Sequence, residues 1–132
     1  MDDDVAPFWE GCARHQLLVQ RCPDTQRLIF PPRPLSPYGA RRPPDWVEVS
    51  GGGTIWSFVV PHPPLLPDFA DIAPYNVIVV ALDEDPTIRM VGNLVTGPDG
   101  TIDEIDPATI EIGQMVRVVF AADFSVPRWV YR

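Results

Sequence analysis

A chain of 132 residues is one domain's worth of polypeptide, long enough to bury a core without disulfide or metal staples. Its 17 prolines and 9 glycines exclude long helices beyond the first dozen or so residues and leave short strands joined by stiff loops. Its net charge is −8 and all 10 of its basic residues are arginines, which disfavours polyanion binding and excludes Schiff-base and P-loop chemistry, since both need lysine.

The N-terminus, Met1-Asp2-Asp3-Asp4, is acidic where a signal peptide is basic, and no apolar run reaches the roughly 18 residues of a membrane span. These features point to a cytoplasmic protein with no membrane partner. A short helix is expected over residues 5–15, with acidic residues at its positive end and Pro7 in its first turn. Phe8 and Cys12 share one face of it, four residues apart, with Trp9 beside them. Leu17-Leu18-Val19-Gln20 reads as a strand and Leu28-Ile29-Phe30 as its hairpin partner, across the turn-like stretch of residues 22–26.

Residues 31–44 are loop, with six prolines and the basic patch Arg33, Arg41 and Arg42. This loop divides the chain into an N-terminal unit, residues 1–44, and a strand-rich unit, residues 45–132. Trp46-Val47-Glu48-Val49 is expected to open the second unit. The glycine triplet of residues 51–53 then turns the chain into a β-prone run ending at Val60. A second proline-rich loop, residues 61–69, follows. Residues 76–82 form an apolar run that suits a strand buried on both faces. Residues 87–95 give the next strand, with Gly92 as a bulge. One helical turn at residues 106–110, a strand at 114–120 and a closing strand at 128–131 complete the pattern. About five core strands spaced by turns fit a small Greek-key barrel better than a sandwich.

The residues show no catalytic set. Residues 51–53 precede neither a lysine nor a helix, so they match no phosphate-binding fingerprint. Cys12 and His15, with Cys22 and His62, lack the second close pair of a structural zinc site. A Cys–His nucleophile pair would need distant residues to meet. The acidic clusters at 83–85 and 103–106 sit in turns, where solvated loops are expected.

Six segments occur in a telling order. They are Pro7-Phe8-Trp9-Glu10-Gly11, Leu18-Val19-Gln20-Arg21-Cys22, Phe30-Pro31-Pro32-Arg33, Ser50-Gly51-Gly52-Gly53-Thr54-Ile55-Trp56-Ser57, Gly92-Asn93-Leu94-Val95 and Ile112-Gly113-Gln114-Met115-Val116. Together they resemble the acyl-CoA-associated OB-fold family, in which a rubredoxin-like zinc ribbon precedes an OB barrel. The resemblance implies a mainly β protein: a short N-terminal helix and a degenerate ribbon-like hairpin, followed by a five-stranded OB barrel. The ribbon's four cysteine positions read Cys22, Thr25, Ser36 and Gly39 here, so no bound metal and no cofactor of the chain's own are expected.

The resemblance further implies a non-catalytic accessory subunit. Its partner is a thiolase-like acyl-CoA enzyme, a thiolase or retro-aldolase of steroid side-chain or aromatic acid metabolism, in a hetero-oligomer. The partner-binding candidates are Phe8, Trp9, Pro61, His62, Pro63, Pro64, Leu65, Leu66 and Phe69, because aromatic and rigid proline segments lose little entropy on docking. An alternative is direct acyl-CoA binding, with Arg33, Arg41 and Arg42 gripping the phosphates. A third is oligonucleotide binding, with Trp56 and Phe58 stacking bases; the net charge of −8 opposes it, so no nucleic acid partner is expected.

Overall fold

The computed structural model describes residues 5–39, 42–62, 67, 74–122 and 126–132. Helix α1, Ala6–Ala13, has Pro7 in its first turn and no side-chain cap. The chain leaves it through His15, whose φ of 61° is left-handed. The His15 ring then stacks on Phe120, with centroids 5.6 Å apart. No described helix is long and apolar enough to cross a membrane.

Three strands form a first sheet in the order β2-β1-β3: β1 is Leu18–Arg21, β2 Leu28–Ile29 and β3 Asp45–Glu48. The strand expected to open the barrel is therefore the third strand of the N-terminal sheet. It pairs with all of β1, from Leu18↔Glu48 to Arg21↔Asp45. The reason lies in β1, whose central residues Val19 and Gln20 are both buried; β2 covers only two of its residues and leaves the other edge to β3.

The second sheet has five strands in the order β6-β5-β4-β7-β8. They are β4 Gly52–Val59, β5 Val77–Leu82, β6 Arg89–Gly92, β7 Met115–Phe120 and β8 Pro127–Tyr131. Every ladder is antiparallel. A parallel bridge, Leu94↔Trp129, joins the two edges. Two bonds flank it: Val95 N–H donates to the Trp129 carbonyl (2.8 Å) and Trp129 N–H to the Asn93 carbonyl (3.0 Å). The sheet thus closes on itself, which removes its edges. Asn76, fully buried, fastens the seam: its Oδ1 accepts from Leu94 N–H (2.6 Å) and its Nδ2 donates to the Leu94 carbonyl (2.9 Å).

Four local expectations are refined. The β5 side chains alternate between buried and half-buried instead of being buried on both faces. Gly92 is in regular register opposite Ile78, and the bulge lies in β4, between Ile55 and Ser57. It turns Trp56 outward, where the Arg89 guanidinium sits 3.7 Å from its ring centroid. Of residues 51–53, only Gly51 takes a left-handed φ, +85°, and an added Cβ there would strike Val118. The expected helical turn is a 3₁₀ turn, Pro107–Thr109, capped by the Asp106 carboxylate accepting from Ala108 N–H (3.0 Å).

The barrel interior is filled by Ile55, Ile78, Val80, Leu82, Val116 and Trp129. Cys12, Leu17 and Val19 from the N-terminal unit belong to the same hydrophobic cluster. Helix, small sheet and barrel therefore share one core.

Candidate interaction surfaces and the ribbon centre

Three of the four ribbon positions meet in space around one sulfur. Cys22 directly follows β1 and is fully buried. Burial raises its thiol pKa, but hydrogen bonds from the Ser36 and Thr25 hydroxyls and from the Thr25 and Asp24 backbone outweigh that, and it is lowered to about 7. Each hydroxyl is oriented by an amide. Ser36 Oγ accepts from Tyr38 N–H (3.0 Å) and Thr25 Oγ1 from Arg27 N–H (3.3 Å), which frees both protons for the sulfur. The Arg27 guanidinium stacks 4.0 Å over the Tyr38 ring and clips the two loops together. Gly39, at the fourth position, is exposed and has no side chain to contribute. One thiol and two hydroxyls do not fit a tetrahedral zinc ion, which takes thiolate, imidazole or carboxylate ligands. The donor set of this knuckle is a hydrogen-bonding set.

Cys12 differs from Cys22. Burial pushes its thiol up to about 11, against a weaker opposing pull from a backbone hydrogen bond. Such a thiol is a small apolar core group and a poor nucleophile. His15, three residues on, stacks on Phe120.

Arg33 is exposed, but its backbone is clamped. The Gln20 carboxamide accepts from Arg33 N–H (2.7 Å) and donates to the Arg33 carbonyl (2.9 Å). Sequence reading missed Gln20, which looks like a solvent-facing strand residue and is in fact buried. Arg42 is exposed, and Arg41 lies outside the described residues. Of the second proline loop, Pro61 is half-buried and His62 exposed, just beyond the end of β4. Pro63, Pro64, Leu65, Leu66 and Phe69 lie outside the described residues.

Phe8 and Trp9 are brought together with groups that sequence reading did not connect to them. Their rings meet edge to face at 5.0 Å, and Phe8 also contacts Phe30 at 6.0 Å. Phe8, Trp9 and Phe30 form one wall of a cavity of about 180 Å³, and Met90, Val91 and Trp129 form the other. The cavity is lined from α1, β6, β8 and the residue after β2. The sequence signal for it is faint: two adjacent aromatics on a short helix and a Trp in the last strand.

A closed five-stranded barrel with one parallel contact, preceded by a small ribbon-like sheet, is the architecture of a ribbon-plus-OB protein. The family model for the C-terminal OB-fold domain of ChsH2 matches residues 46–121, and that for the ChsH2 rubredoxin-like zinc ribbon domain matches residues 9–35. The chain belongs to the ChsH2 family, also described as DUF35.

A relative in Mycobacterium tuberculosis, the 3-oxo-4,17-pregnadiene-20-carboxyl-CoA hydratase alpha subunit, is 35% identical over 96% of this chain and 37% of its own length. A probable enoyl-CoA hydratase alpha subunit of Thermomonospora curvata is 37% identical over 86% of this chain and 32% of its own. The chain thus spans about a third of the length of these two. A DUF35 domain-containing scaffold protein of Methanothermobacter thermautotrophicus is 35% identical, over 81% of this chain and 73% of that protein. Among solved structures, a chain of the Ltp2-ChsH2(DUF35) aldolase superposes with a TM-score of 0.81 at 33% identity, covering 99% of this chain and 96% of that one. A Sulfolobus solfataricus DUF35 protein, at 9% identity and a TM-score of 0.67, shares the fold.

Proposed function

We propose that this chain is a non-catalytic accessory subunit that docks on a thiolase-like acyl-CoA enzyme and helps form its active assembly. The observation that carries this reading is the end-to-end likeness to a chain of the Ltp2-ChsH2(DUF35) aldolase. The names of the two hydratase alpha subunits add an acyl-CoA setting. The chemistry of the chain agrees. One of its two thiols is an apolar core group and the other is held by hydroxyls.

Affinity capture from the native organism tests the proposal. A thiolase-like acyl-CoA enzyme is expected in stoichiometric amount, with turnover in the complex and none by the isolated chain. Turnover by the isolated chain, or capture with no acyl-CoA enzyme present, overturns it.

A second reading, direct contact of this chain with the coenzyme A moiety, is favoured by one feature. The Gln20 clamp fixes the backbone of Arg33 while its side chain stays exposed. A guanidinium on a fixed backbone loses less freedom when it grips a phosphate.

A further inference from the structure

The outer face of the barrel carries apolar side chains where an antiparallel sheet usually turns polar ones to water. In β5 the residues that point away from the core are Val77, Val79 and Ala81, all half-buried. The register carries this face across the neighbouring strands. Val79 stands between Ser57 of β4 and Val91 of β6, and Val77 stands beside Val59. Ala81 stands between Thr54 and Arg89, and Thr54 pairs on its other side with Met115 of β7. Trp56, turned outward at the β4 bulge, is 49% exposed, Met115 55%, Val59 59% and Val91 69%. Single exposed apolar residues are ordinary surface, whereas several on adjacent strands make a patch.

The charges on this face are sorted as well. Strands β4 to β7 contain two charged residues, Arg89 and Arg117, both exposed, and no carboxylate, in a chain with 18 acidic residues. From β6, Arg89 reaches across β5 and lays its guanidinium on the Trp56 ring, which holds both side chains in place before any partner arrives. Side chains already held lose less freedom on docking, and Trp and Arg are the residue types that dominate interface energetics. At the β6 edge the face continues into the wall that Val91 shares with Phe8 and Trp9, and beyond Val59 the chain runs to Pro61 and His62.

We propose that this face, centred on Trp56 and Arg89, is the surface by which the chain docks on its acyl-CoA enzyme, against an apolar patch of that enzyme that bears a carboxylate for Arg89. The identity of the occupant rests on the docking reading proposed above; its chemistry is set by the face, which is apolar and locally basic. A second copy of this chain fits poorly. An isologous pairing would bring the arginines of both copies onto one surface, between two chains of net charge −8. An anionic membrane or a nucleic acid would be repelled by the same net charge.

The test uses the complex of the full chain with the acyl-CoA enzyme that it captures. Val91→Glu and Arg89→Glu change exposed positions, and circular dichroism of each isolated variant checks that it folds; Val59→Glu replaces either one that does not. Calorimetry against the purified enzyme is expected to show binding weakened at least about tenfold by each substitution. Arg89→Ala is expected to flatten the dependence of affinity on salt. Native affinity in either glutamate variant overturns the proposal and leaves the docking reading standing. A native chain that captures no acyl-CoA enzyme overturns both. Concentration-dependent dimerisation of the isolated chain, abolished by Val91→Glu, assigns the face to a second copy and overturns the proposal as well.

Discussion

The Gln20 carboxamide holds Arg33 by both its N–H and its carbonyl, and so ties the first proline loop to the middle of β1. Gln20→Ala strips two backbone groups of their partner and is expected to destabilise the chain by about 1–3 kcal/mol, measured as a lower urea midpoint at unchanged slope. Cys22 is the other hub at this scale. Its thiol is lowered from 9.0 to about 7 in the folded chain, so the folded state holds fewer protons between these values. The stabilisation is therefore fully present above pH 9 and is lost as pH falls through 7. The stability difference between the native chain and Cys22→Ser is expected to widen from pH 6 to pH 9; a flat difference contradicts the hydrogen-bonded thiolate. Elemental analysis is expected to find well under one zinc per chain, with a chelator leaving the fold unchanged. Cys22, Thr25 and Ser36 were legible as a lost ligand set only through the family resemblance. That the two hydroxyls turn onto the remaining sulfur was not, because amides of residues 27 and 38 aim them.

At the scale of elements, β6 and β8 are separated by a tryptophan ring lying against a glycine. Gly92→Ala places a methyl group 2.8 Å from Trp129 Nε1, and the seam has to move. A cost of about 1–3 kcal/mol is expected, as for other overpacked cores. Gly97→Ala, where a Cβ meets nothing within 4 Å, serves as the control and is expected to stay within about 0.5 kcal/mol of the native chain. Thermal denaturation of the two variants side by side checks both values. Gly92 shows why a local reading misassigned this position. A glycine inside a strand signals either a bulge or a close approach, and only the partner across the gap distinguishes them. The strands themselves were legible because their β-branched runs end at Gly, Pro and Asp clusters. The pairing of Asp45–Glu48 was not, since its partner Leu18–Arg21 lies on the far side of the first proline loop.

Across the whole molecule, a chain of net charge −8 carries a proline-stiffened arginine loop. If that loop docks on the enzyme, Arg41→Ala with Arg42→Ala weakens assembly and leaves acyl-CoA affinity in the remaining complex unchanged; this is the expected result. A rim contact is worth about 0.2–1 kcal/mol per pair, whereas a contact to a coenzyme A phosphate contributes about 1.5–3 kcal/mol. A tenfold loss of acyl-CoA affinity with assembly intact therefore assigns the arginines to the coenzyme instead. Size-exclusion chromatography and calorimetry of the complex separate the two.

Composition and local pattern alone determined the mainly β class, the short first helix and the barrel strands, and the family resemblance added the loss of the zinc ligands. Each of these is set by residues close together in the chain: a proline breaks a helix wherever it stands, and a hydroxyl is no thiolate in any fold. The tertiary structure alone decided which sheet takes β3, what holds the ribbon centre, and that Phe8, Phe30 and Trp129 wall one cavity. These depend on groups up to 121 residues apart (Phe8 to Trp129), and their contacts exist only once the barrel has closed and the helix has packed onto the shared core.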